Sequence, residues 1–215
     1  MEEDKLIRSI KWSILYIIFY GAFTILGNYL FSDELIVIGG LGGALYIIIN
    51  AFFIKYKRER LFLNGLISAF GVLCLGMMFG KNIDLEGIIM IGASISLIDI
   101  LSFTKYGKRT MNAKAMSNVN FMSKLIVYGK EKGDILVPTC GIGDYLYYAM
   151  WISGIHNVSD SLWAYVASAV MILVGSCIHY GIIAKIYKKE SYKGFPATVF
   201  PFLCVAIIYG FLYFN

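Results

Sequence analysis

Charge is scarce in this sequence: Asp, Glu, Lys and Arg make up 15% of its 215 residues, against about 25% in a soluble domain. That shortage, beside 59% hydrophobic residues, excludes an ordinary water-soluble globule. Histidine occurs twice and cysteine four times. Neither His156 nor His179 has a partner at metal-ligand spacing, so no metal or other cofactor is expected, and helix packing or an interfacial place is the plain reading of both. Cys74, Cys140, Cys177 and Cys204 show no paired spacing and read as small hydrophobes within helices, which excludes a disulfide framework. The formal net charge of +5 does not argue for nucleic acid, because the basic residues have a topological explanation.

What is abundant is apolar sequence in long runs. Seven stretches, 12–31, 35–54, 61–80, 85–104, 135–155, 161–184 and 195–214, each approach the roughly 20 residues that a helix needs to cross the hydrocarbon core. Helices are expected because each satisfies its backbone hydrogen bonds within itself. The fold expected is therefore all-α: a single polytopic membrane domain over 1–215, packed as a helical bundle. The acidic start Met1-Glu2-Glu3-Asp4 and the full-length first run read as a retained span and not a cleavable leader.

The connections alternate in charge. Eighteen of the 19 basic residues fall in the N-terminal segment and the second, fourth and sixth connections, and only Lys81 falls on the other side. The positive-inside rule then puts the N-terminus and the long connection 105–134 in the cytoplasm and the C-terminus outside, in a multi-pass protein expected in the cell membrane. Within that connection, Phe121-Met122-Ser123-Lys124-Leu125-Ile126-Val127-Tyr128 is apolar but too short to span. It fits a strand, a short interfacial helix or a plug.

The 14 acidic residues divide cleanly: twelve lie in termini, loops or near helix ends, and only Asp99 and Asp144 lie within spans. A carboxylate in a membrane costs roughly 2.5–3.5 kcal/mol on insertion scales and marks function by default. Counted along ideal helices, Asp99 and Asp144 lie roughly 9 Å and 15 Å below the cytoplasmic edge, compatible with two groups facing each other at one level. Two such carboxyls sharing one proton suit aspartic protease chemistry, one taking a proton from water and the other polarising a peptide carbonyl. From the carboxylates alone, an ion or proton pathway or a polar clamp between helices stands level with that reading.

The surroundings of Asp144 add weight. Asp144 closes Gly141-Ile142-Gly143-Asp144, and glycines there leave room for close backbone approach. Gly39-Gly40-Leu41-Gly42-Gly43 lies mid-span and reads as close helix packing, not a phosphate loop. The aromatics, 16 Tyr and 15 Phe, are expected to face lipid or the interface.

Gly141-Ile142-Gly143-Asp144-Tyr145-Leu146-Tyr147-Tyr148 resembles the second catalytic motif of the presenilin and signal peptide peptidase family of GxGD intramembrane aspartyl proteases, above all its small archaeal-type presenilin homologues. Ile98-Asp99 stands where the family has Tyr-Asp, and Pro196-Ala197-Thr198 where it has Pro-Ala-Leu. The spacing from Ile172-Leu173-Val174-Gly175 through Lys188-Lys189 to Pro196-Ala197 is similar to presenilin as well. The family has nine spans, with its aspartates on the sixth and seventh and Pro-Ala on the ninth; here they fall on the fourth, fifth and seventh, which fits a chain two spans shorter.

The resemblance implies an endopeptidase that cleaves transmembrane segments of other membrane proteins within the bilayer. Asp99 and Asp144 would be catalytic, and Gly141, Gly143, Pro196, Ala197 and Thr198 would bind or position substrate. Partner subunits stay open. For residues 121–128 the expectation is pairing with an unwound substrate strand. Two alternatives remain. One is a prepilin or preflagellin peptidase, which shares GxGD but commonly carries Lys where this chain has Leu146. The other is a non-proteolytic carrier, channel or assembly factor that uses the Asp pair for a cation or proton.

Overall fold

The computed structural model describes residues 3–104, 118–188 and 195–214. The polar first part of the long connection, 105–117, and the basic segment 189–194 lie outside the described residues. Eight helices and one hairpin make up the rest, in the order α1 (Glu3–Leu30), α2 (Asp33–Ile48), α3 (Leu61–Asn82), α4 (Leu85–Ser102), α5 (Val119–Lys124), β1 (Ile126–Glu131), β2 (Ile135–Gly141), α6 (Ile142–Gly154), α7 (Leu162–Ile186) and α8 (Val199–Phe214). A π-helical turn, Ile49–Phe53, extends α2.

Short polar residues begin the helices where the apolar runs begin. Ser32 accepts from the Leu35 N–H, Asp84 from the Gly87 N–H and Ser161 from the Ala164 N–H. Each hydroxyl or carboxylate satisfies a first-turn donor that has no intrahelical acceptor. Five helices are long and apolar enough to cross a membrane, spanning Glu3–Leu30, Asp33–Phe53, Arg58–Asn82, Leu85–Ser102 and Leu162–Ile186. They cover five of the seven expected spans. The last, α8, has 16 residues. The protein is thus a mostly helical membrane protein, and large apolar side chains such as Ile38, Phe52 and Met90 lie exposed on its outer helices, where lipid is their natural solvent.

The expected span 135–155 is the point of difference. Its first seven residues form β2, and the helix starts only at Ile142 and runs 13 residues. Cys140 consequently sits on a strand and not in a helix. The hairpin turns at Gly133 and Asp134, both at positive φ (79° and 58°), a conformation that glycine adopts freely and Asp tolerates. An ion pair between Lys130 and Asp134 at 2.7 Å closes the turn. β1 and β2 are antiparallel, with Glu131 opposite Ile135 and Tyr128 opposite Pro138, and a register irregularity between Ile126 and Tyr128. The apolar segment 121–128 therefore divides into the end of α5 and the start of β1, and its strand partner is β2 of the same chain.

α6 is the centre of the bundle. Tyr145, Tyr147, Tyr148, Ala149, Met150, Trp151 and Ile152 are all buried, so from Tyr145 on it is enclosed on every side, as a helical stretch without a polar face must be. Close backbone approach makes this possible. A β-carbon on Gly76 or Gly80 of α3 would come within 2.5 Å of the Leu146 or Met150 carbonyl oxygen. The Gly39–Gly43 cluster does pack helices: a β-carbon on Gly43 would meet the Gly71 Cα at 2.2 Å. On the far side, the Tyr209 hydroxyl of α8 donates to the Trp151 carbonyl at 2.6 Å, and Ser168 of α7 donates to the same oxygen at 3.4 Å.

The hairpin is held by α1. The Tyr16 hydroxyl donates to the Tyr128 carbonyl at 3.0 Å and the Ser9 hydroxyl to the Pro138 carbonyl at 2.6 Å. Arg8 pairs with Glu131 at 3.0 Å, and the Trp12 indole donates to the same carboxylate.

Candidate functional site

The hairpin and α6 set the place of Asp144. Gly141 ends β2 and caps α6, and Asp144 stands three residues on, in the first helical turn. Its Oδ2 accepts from the Gly141 N–H at 3.2 Å. The acid thus closes the helix end by reaching back to the residue before it, which fixes its direction. The helical depth count from residue 134 does not apply, since residues 135–141 rise as a strand.

Asp99 lies in the last turn of α4. Its Oδ2 accepts two hydrogen bonds from Thr198, from the backbone N–H at 3.1 Å and the hydroxyl at 3.0 Å. Thr198 immediately precedes α8, and its carbonyl accepts the first helical bond, from Phe202 N–H at 2.9 Å. Pro196 therefore lies ahead of the helix and not at its first position, and Pro201 falls in the first turn, where a missing N–H costs no helical bond. Proline does not interrupt α8 there. A β-carbon on Gly175 of α7 would lie 2.5 Å from the Phe200 carbonyl oxygen and the Pro201 nitrogen, so α7 and the start of α8 touch backbone to backbone.

Asp144 borders a cavity of about 250 Å³ whose lining also includes Ser13, Cys140, Gly141, His179 and Ala197, and does not include Asp99. Ala197 is the link: it borders the cavity that Asp144 borders, and the next residue holds Asp99. Asp99 is close enough for its charge to act on Asp144. The site thus brings together Asp99, Asp144, Gly141, Ala197 and Thr198. Pro196 is next to it, with its backbone in contact with His179. Gly143 does not line the cavity, and a β-carbon there would meet nothing within 4 Å. A β-carbon on Gly141 would meet only ordinary contacts, the nearest being Asp144 Oδ2 at 3.6 Å. Neither glycine is required by packing against another helix. Ile98, standing at the family's tyrosine position, is exposed on the outside of α4. The buried hydroxyl next to α4 is instead that of Tyr147, 3.3 Å from both the Ser96 hydroxyl and the Gly92 carbonyl.

Three further side chains belong to the site. Cys140 Sγ lies 2.9 Å from the Tyr180 hydroxyl, and the two close one wall of the cavity. His179 closes another, with its ring 5.6 Å from that of Phe195. Spacing holds a partial signal for His179: Gly175 and His179 are four residues apart on α7, so the helix face that presses on the start of α8 is the face that carries the histidine. Outside the membrane segments, Lys130 holds the Asp134 carboxyl below the usual carboxylate range. Among the described residues no group of three or more His, Cys, Asp or Glu side chains is arranged to hold a metal ion. The chain matches no protein-family model and no curated protein sequence.

Proposed function

We propose that this protein is an intramembrane aspartyl endopeptidase that hydrolyses peptide bonds within transmembrane segments of other membrane proteins, with Asp99 and Asp144 as its catalytic pair. The observation that carries the reading is that Asp144 and Ala197 border one cavity, while Thr198, the residue after Ala197, binds Asp99 through its N–H and its hydroxyl. In such a pair one carboxylate takes a proton from the attacking water. The other carboxyl donates its proton to the carbonyl oxygen, and the water oxygen bonds to the carbon. Collapse of the tetrahedral species breaks the C–N bond, and a proton passes to the leaving amine.

The cavity suits this task. Its 250 Å³ volume holds a few residues of extended chain and no helix, which is 10–12 Å wide. A substrate helix must therefore unwind locally, which also frees its carbonyls from internal hydrogen bonds. The resemblance of Gly141-Ile142-Gly143-Asp144 to the GxGD motif points the same way. The membrane orientation belongs to this proposal too: N-terminus and connection 105–134 in the cytoplasm, from the distribution of Lys and Arg.

The test is cleavage of a generic single-span substrate by purified protein in liposomes, beside Asp99→Asn and Asp144→Asn. The reading expects cleavage by the wild type and a loss of at least a thousandfold in each variant. Cleavage retained in either variant, or none by the wild type, would sink it.

A further inference from the structure

α4 buries one narrow stripe. Its buried residues are Ile88, Gly92 and Ser96, four apart, and Asp99, three residues further on, continues the same face. α6 answers with Asp144, Tyr147, Trp151 and Gly154, at steps of three and four along one of its faces. The two faces meet rung by rung, in opposite chain directions. A β-carbon on Gly154 would lie 2.3 Å from Ile88 Cδ1, and one on Gly92 would lie 2.3 Å from Trp151 Cζ2. One turn nearer the acids, the Tyr147 hydroxyl oxygen is 3.3 Å from both the Gly92 carbonyl and the Ser96 hydroxyl. A carbonyl only accepts, so the tyrosine proton goes to Gly92, and its oxygen accepts from Ser96. From the Ile88–Gly154 rung, Asp99 is about 16 Å along α4 and Asp144 about 15 Å along α6 at helical rise. The next rung is therefore the two acids themselves.

Resting on the protease reading, we propose that Tyr147 is a positioning residue for the catalytic pair: its hydroxyl sets the rotation and level at which α4 presents Asp99 to Asp144. Little else about α4 would do so. It packs chiefly on α6 and α8, and Ile89, Met90, Leu97 and Ile98 lie exposed on its outer side. Apolar contacts are non-directional, whereas a hydrogen bond weakens steeply off its axis. Tyr147 belongs to the helix that carries Asp144, three residues on, and it holds the residue three before Asp99. One side chain thus ties the two acid-bearing helices within a turn of both acids.

Tyr147→Phe removes the link without stranding a polar group, since Ser96 can turn to the Gly92 carbonyl four residues back on its own helix. The experiment reads the full chain in liposomes in two ways. The first is the rate at which dibromobimane bridges Asp99→Cys and Asp144→Cys, with the four native cysteines replaced by alanine. Tyr147→Phe should slow bridging about fivefold, the middle of the range for one neutral hydrogen bond. A control pair, Gly21→Cys and Ala169→Cys, joins α1 to α7, where a β-carbon on Gly21 would lie 3.7 Å from that of Ala169; its rate should change less than twofold. The second reading is steady-state cleavage: Tyr147→Phe should lower kcat about fivefold and leave KM within twofold. Ser96→Ala, which spares the Gly92 bond, should cost less than twofold, and the double variant should be no worse than Tyr147→Phe alone. A tyrosine that only packs would lower the unfolding temperature and leave the 99–144 bridging rate and kcat within twofold. That result, equal slowing of both cysteine pairs, or no bridging of 99 to 144 in the parent overturns the inference. Bridging that depends on Tyr147 without any cleavage by the wild type overturns the protease reading alone. Cleavage with bridging indifferent to Tyr147 overturns this inference alone.

Discussion

Thr198→Val is the most discriminating single change at the aspartates. Valine keeps the shape of threonine but removes the hydroxyl that reaches Asp99 Oδ2 at 3.0 Å, while the backbone N–H bond at 3.1 Å stays. Hydrogen bonds to a charged group contribute about 1.5–3 kcal/mol. Because one of the two donors survives, the lower end applies. At about 1.4 kcal/mol per factor of ten, the expected cost is roughly a tenfold drop in kcat. KM should change less than threefold, since Thr198 does not line the cavity. Thr198→Ser restores the hydroxyl and should recover most of the rate. Thr198→Leu should behave like Val, because its N–H still reaches Asp99. The assay is steady-state cleavage in liposomes over a range of substrate density, with circular dichroism to verify folding. A Val variant within twofold of the wild type, or a Ser variant no better than Val, would refute the view that this hydroxyl orients the acid.

Other expectations test the frame around the site. Gly76→Ala puts a carbon 2.5 Å from the Leu146 carbonyl, so it should destabilise the protein by about 1–3 kcal/mol, whereas Gly42→Ala, with nothing within 4 Å, should be neutral or stabilising; thermal unfolding in detergent compares them. Asp134 should titrate below an ordinary aspartate because Lys130 favours its charged form. The hairpin turn then keeps this ion pair above the usual carboxylate range and loses it as pH falls through the lowered value. Carbon-detected NMR of Asp134 should show the midpoint rising in Lys130→Met.

The two acids were legible without coordinates, because twelve of the 14 acidic residues are accounted for by termini, loops and helix ends. The five long helices were legible for the same kind of reason: their hydropathy is continuous, and polar caps mark the starts of three of them. The hairpin was not. Ile135-Leu136-Val137-Pro138-Thr139-Cys140-Gly141 is as apolar as the helix it feeds, and an apolar run of that length does not by itself distinguish strand from helix. Pro138 and Gly141 were the hints, as residues that a helix interior disfavours. The bond from Thr198 to Asp99 crosses 99 positions. No local pattern encodes it, and the departure from Pro-Ala-Leu gave no sign that the new hydroxyl would meet the acid. His179 was hidden differently: a lone histidine in an apolar helix is usually packing, and only the cavity beside it changes its meaning.

The attachment of α1 to the hairpin also governs the order in which this protein can be assembled. Tyr16 meets the carbonyl of Tyr128 across 112 positions, and Ser9 that of Pro138 across 129. At a ribosomal rate of about 5–20 residues per second, the first helix waits roughly 6–25 s for the strands that satisfy its polar side chains. Through that interval Ser9, Trp12 and Tyr16 are exposed to lipid, water or the insertion machinery, while α2, α3 and α4 are delivered around them. A nascent chain arrested before residue 126 therefore carries its first helix without its latch. The hairpin, arriving late, completes the seating of α1 at the same moment that it sets Asp144.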